Sequence, residues 1–203
     1  MDGPRNNARE WIERHRLPGR SVRWRALLLL TRLLFGLALW ATAEELRAQR
    51  VEVDAGVGNY VDVVGVGIGT DDWKRWSIGG NWSISLYAMA WVSYWRGNAA
   101  HDLVDLSVAP VLRLEDRMRS TFAPYLEASV GLHLLSHTQI NETRQFSTAF
   151  QFGEFLGAGV AFGDHYRYDI ALRIQHVSNG GIKNPNDGLT YGALVFQYRF
   201  AQR

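Results

Sequence analysis

The 203-residue chain contains no cysteine. Disulfide scaffolds and thiolate metal sites are thereby excluded. Proline is scarce, at five residues, and no low-complexity stretch marks a domain linker. No apolar run reaches the ~20 residues that a membrane-spanning helix needs; the longest, over 26–40, is broken by Thr31 and Arg32. A real basic excess is also missing. Eight of the 22 Lys+Arg but only three of the 20 Asp+Glu lie in the first 43 residues, so the remainder is slightly acidic. That balance argues against a nucleic-acid partner. Gly65-Val66-Gly67-Ile68-Gly69 alternates as a strand does and opens no helix, so no nucleotide-binding turn is present. His15, His101, His133, His137 and His165 show no metal-ligand spacing, and Asn186-Asp187-Gly188 lacks the other oxygens of a calcium loop. No cofactor or metal is implied.

What is present divides in two. Arg5, Arg9, Arg14, Arg16, Arg20, Arg23 and Arg25 precede the apolar stretch, and Ala41-Thr42-Ala43 follows it. This order predicts a signal peptide over 1–43, cleaved to leave one domain over 44–203. The remainder has 20 glycines and is rich in Trp, Tyr and Phe, and it reads in period two. Alternation predicts eight strands at about 51–58, 61–70, 81–95, 103–114, 122–136, 148–162, 167–178 and 189–200. Many carry one continuous apolar face, such as Leu126, Ala128, Val130, Leu132 and Leu134. The other face holds polar groups, among them Arg113, Glu127, Asp169, Arg173 and Arg199.

Exported, eight-stranded and helix-free, the chain fits an all-β antiparallel transmembrane barrel of the outer membrane. Trp73, Trp76, Trp82, Tyr94, Trp95, Tyr168, Tyr198 and Phe200 suit interfacial girdles. Alternation alone fits equally a soluble barrel with its apolar face inward around a ligand. With both chain ends on the periplasmic side, the connections at 71–80, 115–121 and 163–165 fall inside. Those at 58–60, 96–102, 137–147 and 179–188 fall outside.

Against this frame His176 and Ser178 stand out. Two residues apart on a strand, they share the apolar, lipid-facing side near the external leaflet. Ser178 supplies a hydroxyl nucleophile and His176 an imidazole, the side-chain type best suited to act as general base. Asn179 and the backbone of Gly180-Gly181 follow as donors for an oxyanion. Glu154, on the lipid-facing side of the preceding strand, is an expensive place for a carboxylate. Lys183, Arg96 and Arg144 fall on outer loops within reach of lipid phosphates.

The string from His176 to Gly188, His-Val-Ser-Asn-Gly-Gly-Ile-Lys-Asn-Pro-Asn-Asp-Gly, together with Arg173-Ile174-Gln175 before it, closely resembles the signature of PagL-type lipid A 3-O-deacylases. Weaker similarity extends through Ser107-Val108-Ala109-Pro110 and Pro124-Tyr125-Leu126-Glu127-Ala128. The resemblance implies an eight-stranded outer-membrane enzyme. It would remove the 3-position acyl chain of lipid A, using a serine-histidine-acid triad on its lipid-facing wall. It assigns His176 and Ser178 to the catalytic histidine and nucleophile, and Asn179 and Gly181 to the oxyanion hole. The family's glutamate falls two residues after the glycine matched by Gly188; here that position is Thr190.

Four readings of the missing acid follow: Thr190 or water orients His176, Glu154 substitutes, Asp187 substitutes, or the barrel is inactive. The partners implied are lipid A in lipopolysaccharide, outer-membrane lipids and a second copy in a homodimer. A non-catalytic barrel for adhesion or envelope integrity, and a phospholipid hydrolase, are the competing functions.

Overall fold

The computed structural model describes residues 49–97, 102–117, 121–140 and 144–200. The expected signal peptide lies outside the described residues. Alternating side-chain character becomes nine strands: β1 (Arg50–Gly58), β2 (Val61–Gly69), β3 (Lys74–Gly79), β4 (Trp82–Gly97), β5 (Leu103–Asp116), β6 (Phe122–Leu135), β7 (Phe150–Phe162), β8 (Tyr168–Ser178) and β9 (Leu189–Arg199). All pairings are antiparallel, and β2 pairs with β4 to close a ring of eight strands. Closure leaves the ring without an open edge, as backbone groups in lipid require.

The ninth strand, β3, corrects the expectation of a plain connection over 71–80. It takes up the flank of β4 where β2 leaves off: β2 pairs as far as Met89, and β3 pairs from Leu86 to Trp82. Trp73 N–H donates to the Leu86 carbonyl at 2.8 Å to start it. Gly79 and Gly80, both at positive φ, make the tight turn into β4. The Gly-Gly pair between two short alternating runs was the available signal.

The two faces of the wall settle which way the barrel is turned. Leu156 and Leu172 are 70% and 68% exposed, whereas Arg113, Glu115 and Asp169 are each 1% exposed. Such a surface suits lipid rather than water, and it rules out the soluble, apolar-inside alternative.

Inside, the charges pair. Arg113 forms a two-pronged bridge to Asp169, at 2.8 and 3.2 Å, and reaches Glu115 at 2.7 Å. Arg173 bridges Glu52 and Glu127, each at 2.8 Å, and its guanidinium lies 4.0 Å from the Phe155 ring centre. Trp91 Nε1 donates to Glu52 at 2.7 Å. A mid-lumen cavity beside Trp91, His133 and Tyr191 measures about 20 Å³, room for roughly one water. The interior is packed, polar around these ion pairs and apolar where Val63, Trp95, Leu103 and Phe146 cluster.

Candidate active site

Strand register assembles the site. On β8, His176 and Ser178 point outward, each half-buried. Across β7–β8, His176 stands opposite Glu154 and Ser178 opposite Phe152. Across β8–β9, His176 stands opposite Thr190. Glu154, His176 and Thr190 therefore form one lipid-facing row over three strands, and Ser178 sits in the next row toward the outer loop.

Within that row the imidazole has chosen a partner. His176 Nδ1 and Thr190 Oγ1 are 2.8 Å apart. No ion pair joins Glu154 to His176 among the described residues, and none joins Asp187 to it. Asp187 Oδ2 instead accepts the Gln145 N–H at 2.8 Å. The His176 ring also leans on Gly188. A Cβ at position 188 would lie 2.9 Å from His176 Cε1 and 3.2 Å from Nε2, and Gly188 holds φ +59. Arg144 donates to the carbonyls of Asp187 and Gly188, and its guanidinium lies 4.2 Å from the Tyr60 ring centre. It thus holds Gly188 beneath the imidazole.

Asn179 is woven into the loop that follows β8. Its side chain is buried, with Nδ2 donating to the Lys183 carbonyl at 2.7 Å and to Ser147 Oγ at 3.1 Å. Its Oδ1 accepts the Gly181 N–H at 2.9 Å, and its own N–H donates to Asn186 Oδ1 at 3.0 Å. Asn179 is the knot that ties the β8–β9 loop to the β6–β7 loop. Both ends of its amide are committed to the loop. Of the three loop cations, Arg96 pairs with Asp62 at 3.0 Å and Arg144 braces Gly188, while the Lys183 side chain is exposed at the loop apex.

An apolar groove of about 760 Å³ starts at this row. Leu86, Leu112, Ala128, Leu156 and Ile174 are successive cross-strand partners from β4 to β8 and line it; His176 and Glu154 line it too. Ala128, small between two leucines, makes the dip. Phe152, level with Ser178 on β7, packs edge to face on Phe150 at 5.1 Å. These groove and flanking residues follow from register, which alternation within single strands does not supply.

Comparisons with known proteins place the chain in a family. The family model described as lipid A 3-O-deacylase (PagL) matches residues 62–199. The chain belongs to this family. It is 31% identical over 154 residues to the lipid A deacylase PagL of Bordetella bronchiseptica, covering 74% of this chain and 83% of that protein. It is 28% identical over 165 residues to the lipid A deacylase PagL of Pseudomonas aeruginosa, covering 79% and 93%. A solved structure, the crystal structure of the outer membrane enzyme PagL, superposes with a TM-score of 0.66 at 26% identity. That match covers 74% of this chain and 99% of the other. The fold of a family member is thus present throughout the barrel.

Proposed function

We propose that this protein hydrolyses the 3-O-linked acyl chain of lipid A in the outer membrane, with Ser178 as nucleophile, His176 as general base and Thr190 as the group that orients the imidazole. The observation that carries this reading is the 2.8 Å contact between His176 Nδ1 and Thr190 Oγ1 on the lipid-facing wall, at the head of the apolar groove. A hydroxyl that accepts the Nδ1–H leaves Nε2 with its lone pair free to take a proton. Ser178 turns about its Cα–Cβ bond to place Oγ at Nε2, a contact that tightens when substrate binds.

The Ser178 proton then passes to Nε2 as Oγ bonds to the ester carbonyl carbon. Collapse of the tetrahedral adduct breaks the bond to the sugar 3-oxygen, which takes the proton back from His176. Water, deprotonated by the same nitrogen, releases the fatty acid from Ser178. Glu154, opposite His176, favours the transient imidazolium electrostatically. The Gly180-Gly181 backbone, both residues at positive φ, supplies the oxyanion donor once Asn179 Oδ1 releases the Gly181 N–H. The acyl chain lies in the groove toward Ala128, and Lys183 meets a lipid A phosphate. Two copies pairing through the apolar wall would form a homodimer, which cross-linking in vesicles tests.

Thr190 at the family's acid position favours one second reading, a catalytically silent barrel. Mass spectrometry of lipid A from cells expressing the wild type or Ser178→Ala separates the two. Loss of one 3-O-linked acyl chain with the wild type only is the expected result. Unchanged lipid A from a folded, outer-membrane wild type would refute catalysis.

A further inference from the structure

The end of the barrel opposite Ser178 holds a second recess, of about 570 Å³, which the deacylation reaction does not use. Its lining includes five arginines, Arg50, Arg75, Arg117, Arg167 and Arg199, and only two carboxylates, Asp71 and Asp72. Arg50 and Arg75 both pair with Asp72. Arg117 and Arg199 reach down to Glu115, and Arg199 also reaches Asp169; both acids are shared with Arg113 below. Among the described residues, five guanidinium groups thus pair with three carboxylates, an excess of two positive charges in that network, and Arg167 and Asp71 line the recess beside it. The donors are unfilled as well as the charge. Arg50, 2% exposed, has Nη1 without an acceptor, and Arg167 Nε and Arg199 Nε are likewise buried without one. A buried donor without an acceptor is costly, and guanidinium groups match tetrahedral oxyanions in geometry as well as charge.

We propose that this recess is a binding site for a soluble phosphate-class oxyanion carrying about two negative charges. The charge follows from the surplus, and the phosphate class from an all-arginine, lysine-free donor set. The solubility follows from placement. Arg50 is buried on the lumen-facing side of β1, as Arg113 is on that of β5, so the recess opens on the water-filled end of the ring and not on its lipid wall.

The test is calorimetric titration of inorganic pyrophosphate into the folded full-length protein in phosphatidylcholine vesicles, with Arg117→Gln and Arg167→Gln alongside. The expected result is one saturable, salt-sensitive site in the wild type, weakened about tenfold or more by each substitution. Heat-dependent gel mobility confirms that each variant is folded, and Arg167 has no ion-pair partner among the described residues whose loss would unfold the barrel. A second arm omits pyrophosphate and compares phosphatidylglycerol with phosphatidylcholine vesicles by thermal unfolding. No saturable heat, or equal affinity in folded variants, overturns the proposal. Stabilisation by phosphatidylglycerol that the two substitutions abolish, without pyrophosphate binding, overturns it in favour of a lipid headgroup.

Discussion

Replacing Thr190 by valine keeps shape and β-branching but removes the oxygen that meets His176 Nδ1 at 2.8 Å. Between neutral partners such a hydrogen bond is worth about 1 kcal/mol net. In the transition state His176 carries the Ser178 proton, and the same bond becomes charge-assisted, worth roughly 1.5–3 kcal/mol. Only the difference of about 0.5–2 kcal/mol bears on the barrier; at about 1.4 kcal/mol per factor of ten, Thr190→Val should lower kcat/KM by about 2- to 30-fold.

Thr190→Glu should act in the opposite direction. A carboxylate about 4 Å from an imidazolium gains about 4 kcal/mol at an effective dielectric constant of 20. Repulsion from Glu154, on the other flank of His176, and the cost of a second lipid-facing carboxylate take back most of it. A net gain of about tenfold remains. The assay is release of hydroxy fatty acid from purified lipid A in mixed micelles, on protein shown to be folded by heat-dependent gel mobility. Thr190→Val within twofold of wild type, with Glu154→Gln far slower, would refute the role given to Thr190 and hand it to Glu154. The double variant apportions any coupling between the two flanks.

Gly188→Ala forces a side chain into a left-handed position at about 1–2 kcal/mol and sets its Cβ 2.9 Å from His176 Cε1. Activity should fall at least about tenfold with heat-dependent mobility retained, and a fully active variant would contradict the packing. Ala128→Trp fills the groove beneath His176. Deacylation of lipid A should drop about tenfold while hydrolysis of a short soluble ester persists, and equal loss on both substrates would argue against an acyl seat there. Arg173→Met leaves Glu52 and Glu127 without their shared cation and should cost about 3–5 kcal/mol. Tryptophan fluorescence during urea unfolding in vesicles reads this as a lower midpoint, and an unmoved midpoint would show the pair to be dispensable.

The wall was legible in the sequence because lipid and lumen select opposite chemistries at every second residue. The same parity placed Glu154, His176 and Ser178 on one face before any pairing was known. Partnership was not legible. Arg173 meets Glu52 across 121 positions, and nothing in either strand chooses that acid over Asp169. The ties of Asn179 were not legible for the same reason: they depend on Ser147, 32 residues earlier in another loop. Strand β3 was missed because six residues beside a Gly-Gly turn look like a connection. It becomes a strand only because β4 runs on past the end of β2 and offers unpaired backbone.

The substitution at position 190 is intelligible from where the site lies. In a water-filled cleft an orienting carboxylate is solvated on its free side. On a barrel wall every lipid-facing charge carries a desolvation cost. This chain already bears one such charge, Glu154, directly across from His176. A carboxylate at 190 as well would set two negative groups on either side of one imidazole, with bilayer around both. Threonine separates the two duties an acid usually combines. In the mechanism proposed above, its hydroxyl fixes the tautomer from 2.8 Å, and Glu154 supplies the charge from the other strand. On this argument Glu154→Gln matters more in Thr190 enzyme than in Thr190→Glu enzyme, because only the former depends on β7 for its negative charge.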